Sequence, residues 1–234
     1  MGTFDVELFP DAAPQTVQNF LNVVNSGAYN NTIIHRVVNQ TGFQIVQGGG
    51  YSATTAPYTP DTETALIPFI PNLGNIPLEY NLPNSVGTIA MARGSNDDTA
   101  SSQFFFNVSD NTTNLGPRPP SGGNPGDPGY DPGSDGYAVF GQVLNGLSIL
   151  QAIDAVPTLA DYVPGYSSVT DPIDLLGPMP LANFSPDASV ITTDNLIIIN
   201  SVTVAPEPSS IALAALGGVT LAIFARRRAV RRQS

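Results

Sequence analysis

Cysteine and lysine are absent from these 234 residues, and histidine occurs once, as His35. Without cysteine there can be no disulfide, no thiolate nucleophile and no Cys-ligated metal, and the chain suits any redox compartment. A single histidine also excludes the usual His-rich zinc sites. Positive charge is scarce: five of the eight basic residues are Arg226, Arg227, Arg228, Arg231 and Arg232. Residues 1–205 therefore carry Arg36, Arg93 and Arg118 against eighteen acids, a balance near −15. A body so acidic lacks the basic footprint that phosphate binding needs, which excludes nucleic acid as a partner.

One stretch holds scarce residues together. Ile33–Gly50, IIHRVVNQTGFQIVQGGG, contains His35, Arg36, two apolar runs and three consecutive glycines. It reads as a strand, a bend, a second strand and a close backbone approach. Ahead of it, Gly2–Phe9 alternates as a half-buried strand with Phe4, Val6 and Leu8 on one face. Asp11–Val24 then spaces Val17, Phe20, Leu21 and Val24 as an amphipathic helix. Thr88–Arg93, Gln103–Val108 and Tyr137–Val143 read as further strands, Leu147–Ala155 as a short helix, and Asn195–Val204 as the last strand.

Between these elements the composition shifts. Tyr51–Pro77 has no sustained period and reads as loop. Residues 116–136, GPRPPSGGNPGDPGYDPGSDG, are a Pro/Gly-dominated insertion unable to bury a core, and residues 156–194 form a second irregular segment. Asp127, Asp131 and Asp135 recur every fourth residue, but not at the spacing of a known calcium loop, so they read as a solvated loop. Neither a metal nor a cofactor is expected. The tail differs in kind: Pro206-Glu207-Pro208, an uncharged run over residues 211–225, then the arginine cluster. All-round apolarity ending in arginines reads as a transmembrane helix with its basic end in the cytoplasm.

Five blocks in order resemble the cyclophilin-type peptidyl-prolyl cis-trans isomerases of bacteria: His35-Arg36, Gln47–Gly50, Gly87–Arg93, Ser101–Val108 and Gly136–Val143. The resemblance implies a mainly β fold, a closed eight-stranded antiparallel barrel capped by two helices, over residues 1–204. Residues 205–234 resemble a PEP-CTERM sorting signal, which implies export, attachment to the membrane through residues 211–225 and processing by an exosortase-type enzyme. Export also requires an N-terminal signal, expected upstream of Met1.

The implied reaction turns an X-Pro peptide bond, whose barrier of about 18–20 kcal/mol comes from amide resonance. A catalyst needs a pocket that prefers the twisted amide and a donor near the prolyl nitrogen, whose lone pair appears as resonance is lost. By resemblance Arg36 is that donor. Gln47, Met91, Ala92, Arg93, Gln103, Phe105, Leu115 and Tyr137 match substrate-contacting positions. Ten residues separate Arg36 from Gln47, more than is usual in the family. Either Phe43 is the pocket phenylalanine on a bulged strand or Gln44 takes its place, since a one-residue slip turns each side chain to the other face. Asn114 stands where an aromatic usually precedes Leu115. The expected function is isomerisation of X-Pro bonds in exported or cell-envelope proteins. The alternative is a binding module that grips proline-containing polypeptides with little or no turnover, and a purely structural surface protein would bind none.

Overall fold

The computed structural model describes residues 1–53, 68–119, 134–162, 178–185, 187 and 190–205. The Asp127 and Asp131 part of the expected solvated loop and the whole 211–225 run lie outside these residues. Met1–Val202 forms one compact unit, and Thr203–Ser234 is a separate one.

The first unit is mainly β. In chain order it contains β1 (Asp5–Leu8), α1 (Pro14–Asn25), β2 (Thr32–Ile33), β3 (Arg36–Gln40), β4 (Phe43–Gly48), β5 (Thr88–Met91), β6 (Phe104–Asn107), α2 (Thr112–Leu115), β7 (Val139–Asn145), α3 (Leu147–Asp154), α4 (Leu159–Tyr162) and β8 (Ile198–Ile199). Six strands form one antiparallel sheet in the order β1-β7-β5-β6-β4-β3, and β2 pairs with β8 apart from it.

The expected closed barrel is therefore corrected: the sheet is open. Closure requires every strand to be paired on both sides. Among the described residues β1 pairs with β7 alone, while the outer edge of β3 takes a loop bond, Val37 N–H to the Pro178 carbonyl at 2.8 Å. The last strand shrinks from the expected 195–204 to Ile198–Ile199 and is spent on β2, and its expected first residue, Asn195, ends a 3-10 turn instead. Among the described residues no helix is long and apolar enough to cross a membrane, and the 211–225 run expected to do so lies outside them.

Period-2 alternation divides the sheet into two faces. On one face Val37, Val46, Ile89, Met91, Phe104, Phe106 and Phe140 form the main core with Phe20, Val23 and Val24 of α1 and Leu150 and Ile153 of α3. Phe20 packs against Tyr29, Phe104 and Phe140 with ring centroids 5.1–5.7 Å apart. Each such buried side chain contributes about 1.5–3 kcal/mol. Helix α1 starts at Pro14, and its first turn is capped from a distant loop. The Glu79 carboxylate accepts from the Gln15 and Thr16 N–H groups at 3.2 and 2.8 Å and from the Thr16 hydroxyl at 2.8 Å. A second cluster, Ile33, Tyr51, Leu159, Met179, Leu181, Phe184, Ile191 and Leu196, packs β2 against the C-terminal segments.

The sheet's other face carries a smaller cluster of its own: Ile45, Ala90, Phe105, Leu115 and Val139, with Val38, Phe43, Leu82, Ala92 and Tyr137 half-buried around it.

Candidate active site

Adjacent strands bring the polar half of the site together through their register. Arg36 of β3 faces Gln47 of β4, which faces Phe105 of β6, which faces Ala90 of β5. Residues directly opposite on one face lie close enough for their side chains to interact. Arg36 Nη1 donates to Gln47 Oε1 at 3.2 Å, and Gln47 Nε2 donates to Gln103 Oε1 at 2.9 Å. Two neutral amides thus aim a guanidinium that, among the described residues, pairs with no carboxylate. Burial lowers the Arg36 pKa, and the nearby Tyr137 phenol opposes the shift. The group stays cationic, with N–H donors left over for a ligand.

Beside this chain lies the apolar cluster. Phe105 and Tyr137 meet edge to face with centroids 5.6 Å apart, Leu115 closes one side from α2, and Phe43 and Ala92 stand at the rim. The pairing of β3 with β4 runs without a shift from Arg36–Gln47 to Gln40–Phe43. The extra residues lengthen the two strands and their turn, where Gly42 adopts φ +80°, and no bulge forms between them. Phe43, Ile45 and Gln47 consequently share the pocket face. Gln44 turns away toward α3, so the structure places both residues and gives them different neighbours.

The glycine run after Gln47 is needed sterically. Gly49 sits at φ +78°, and a Cβ there would lie 2.6 Å from the Ser102 carbonyl oxygen and 2.8 Å from the Phe104 ring. Gly50 lets the Gln103 side chain pack directly over the backbone, where a Cβ would approach its Cδ to 2.9 Å.

Two of the residues matched by sequence sit differently from the rest. The Met91 side chain points into the main core at 1% exposure, away from the pocket. Arg93 is occupied within the protein. Its Nε donates to the Gly136 carbonyl at 2.9 Å, its Nη1 donates to the Gly94 carbonyl at 3.1 Å and pairs with Asp97 at 3.4 Å, and its guanidinium lies 5.1 Å from the centre of the Tyr137 ring. It fastens the start of β7 to the end of β5 and holds Tyr137 in place.

Sequence reasoning missed the layer behind the pocket. Asn107 Nδ2 donates to Asn84 Oδ1 at 3.1 Å and to Thr88 Oγ1 at 2.8 Å. Asn111 Nδ2 donates to Asn107 Oδ1 at 2.8 Å and to the Gln44 carbonyl at 2.9 Å. Asn84, Asn107 and Asn111 are fully buried, and Asn84 reaches the Leu115 and Tyr137 carbonyls at 3.4 and 3.3 Å. The available signal was an asparagine ending the otherwise aromatic strand Phe104–Asn107, since a buried amide must find partners. Asn114 donates to the Gly42 carbonyl at 2.7 Å, tying α2 to the hairpin turn. His35 is 1% exposed and stacks edgewise on Tyr51 at 4.9 Å, and neither ring nitrogen has a hydrogen-bond partner of full geometry among the described residues. Burial and then the Arg36 charge push it down to about 4, against opposing contributions from Gln103 and the Ile33 backbone.

Residues 1–170 match the family described as cyclophilin type peptidyl-prolyl cis-trans isomerase/CLD, and residues 204–229 match the PEP-CTERM protein-sorting motif. The chain is 39% identical over 158 residues to peptidyl-prolyl cis-trans isomerase A of Dickeya dadantii, covering 67% of this chain and 68% of that protein. It is 37% identical over 164 residues to peptidyl-prolyl cis-trans isomerase B of Escherichia coli, covering 67% and 81%. To a peptidyl-prolyl cis-trans isomerase of Acinetobacter baylyi it is 34% identical over 164 residues, covering 68% and 70%.

Proposed function

We infer the function from one premise: this chain belongs to the cyclophilin-type peptidyl-prolyl cis-trans isomerase family. Its reaction is rotation about X-Pro bonds. The observation that carries the mechanism is the Arg36–Gln47–Gln103 hydrogen-bonded chain set beside the Phe105, Leu115, Tyr137 and Phe43 cluster.

In this reading the proline ring enters the apolar cluster, with Phe105 as its floor. Gln47 and Gln103 are placed to hydrogen-bond the backbone on either side. As the amide twists, resonance fades and the prolyl nitrogen gains a lone pair. Arg36, already aimed by Gln47 and, among the described residues, bound to no carboxylate, donates to that nitrogen. The interaction exists only in the twisted form, so it lowers the barrier without tightening the ground state. No proton moves, which suits a site whose histidine is buried and neutral at pH 7. Ala92 and Phe43 contact the residues flanking the proline, and Arg93 acts through Tyr137.

The sorting motif supports export of the chain and processing of its tail by an exosortase-type enzyme, with proline-containing segments of other exported or cell-envelope proteins as substrates. Turnover of a short proline peptide coupled to a conformer-selective protease tests the mechanism. Arg36→Ala is expected to cut kcat/KM by about 10²–10³-fold, the usual cost of removing a transition-state donor. Equal background rates for wild type and Arg36→Ala, with peptide binding retained in both, would favour a proline-binding module instead.

A further inference from the structure

Gln44, on the face of β4 turned away from the pocket, makes more connections than its neighbours. Its Nε2 donates to Asp154 Oδ2 and to Asn39 Oδ1, each at 2.9 Å, and Asn39 Nδ2 donates to the Asp154 carbonyl at 3.0 Å. Its N–H donates to Ser109 Oγ at 3.0 Å and Asn111 Oδ1 at 3.2 Å, while its carbonyl accepts from Val108 N–H and Asn111 Nδ2. One residue thereby joins the last turn of α3, the β3–β4 hairpin and the segment leading to Leu115. The preceding residue is Phe43, in the pocket cluster.

Asp154 is unusual in its own right. It is 4% exposed, its Oδ1 has no hydrogen-bond partner among the described residues, and it lines a cleft of about 790 Å³ that also borders Arg36, Asn39, Gln40 and Asp161. A carboxylate held with one bare oxygen in the interior is costly unless the position serves something beyond packing.

We propose that Gln44 and Asp154 are positioning residues of the proline pocket: the Asp154 carboxyl, through the Gln44 amide, holds the hairpin against α3 so that Phe43 and Leu115 keep their spacing. This rests on the reading of the pocket as the X-Pro site. The arrangement makes proline binding pH-dependent. Among the described residues Arg36 and Asp161 are the charged residues that line the same cleft, and neither α3 nor β4 adds another. Burial raises the Asp154 carboxyl to about 6, against the Gln44 hydrogen bond. Swinging open to water returns it to its ordinary value, so the closed clamp holds its proton more tightly than the open one. Raising the pH through 6 therefore shifts the hairpin toward the open state.

The test measures, on the full chain, the Kd of a proline-containing tetrapeptide by calorimetry and its cis-trans exchange by NMR between pH 5 and 7.5. Wild type should bind about 3–10-fold more weakly at the upper end. Asp154→Asn, which still accepts from Gln44, should keep the low-pH Kd throughout. Gln44→Ala should raise Kd about tenfold at pH 5 and flatten its pH profile, because the Asp154 carboxyl acts through the Gln44 amide, while exchange of the bound peptide changes little; Arg36→Ala should slow exchange and leave the pH profile of Kd in place. A wild-type pH profile in Asp154→Asn, or an unchanged Kd in folded Gln44→Ala, overturns the proposal. Should Gln44→Ala fail to fold, Asp154→Asn decides it alone. A wild type that binds no proline peptide removes the pocket reading itself, and is told apart by failing before any variant is compared.

Discussion

Two buried titratable groups with opposite perturbations make the acid stability of this protein a test of its interior. His35 is pushed from 6.5 to about 4, so the native state keeps it neutral while the unfolded chain takes a proton below 6.5. Its contribution is complete above that pH and is lost as the pH falls toward 4, in all about 3 kcal/mol. Asp154 is pushed from 3.8 up to about 6, so the native state prefers it protonated. Its contribution is complete below 3.8 and is lost as the pH rises through 6; solvent in the cleft it lines screens the group, so the loss is smaller, about 1–2 kcal/mol. Between pH 4 and 6 the two slopes oppose each other, and wild type shows only their difference. Removing one exposes the other. Relative to wild type, Asp154→Asn should gain about 1–2 kcal/mol of unfolding free energy between pH 4 and 6.5, and His35→Phe, which keeps the edgewise contact with Tyr51, should lose about 2–3 kcal/mol over the same interval. Urea unfolding at half-unit pH steps, followed by far-UV circular dichroism, gives both differences, and common carboxylate effects cancel in them. The pH trend of each difference is the readout, since the substitutions also change the baseline level. Differences that stay constant from pH 4 to 7 would refute the assignment of these two groups.

Three further outcomes follow from the geometry. Asn111→Ala leaves Asn107 and the Gln44 backbone without partners in the interior, and should cost about 2–4 kcal/mol in urea unfolding. Gly49→Ala meets the Ser102 carbonyl and a positive φ together, and should lower the melting temperature by several degrees, with a loss of about 2 kcal/mol or more. Arg36→Lys keeps the charge but loses the planar fork held by Gln47, and should fall between wild type and Arg36→Ala, about 10–100-fold down in kcat/KM with KM little changed.

Much of the site was legible because it depends on local order. Arg36, Gln47 and Phe105 occupy the same face of three strands whose alternation is visible in the sequence, and Phe20 and Val24 announce the buried side of α1 at helical spacing. What the sequence could not carry was anything fixed by partners distant along the chain. The destination of the last strand depended on whether β8 met β1 or β2, a choice that two isoleucines do not encode, so the closed barrel was not realised. Whether Phe43 or Gln44 met the pocket depended on how the longer hairpin turned. Residue types could not show that Arg93 would be spent on Gly136 and Asp97, or that three asparagines far apart in sequence would meet behind Leu115.

The division of the sheet into two faces has a consequence for how this protein can change over time. The Phe105 cluster and the main core draw on the same strands but lie on opposite faces of the sheet. On the proposed reading, substitutions at Arg36, Gln103 or Phe43 would stop turnover while leaving the packing of the main core in place, and quality-control proteases that sample unfolded chains would pass them unnoticed. A population of such proteins can drift from enzyme to silent proline receptor while every copy still melts at the same temperature. In this architecture thermal stability carries no information about whether the chain still turns peptide bonds.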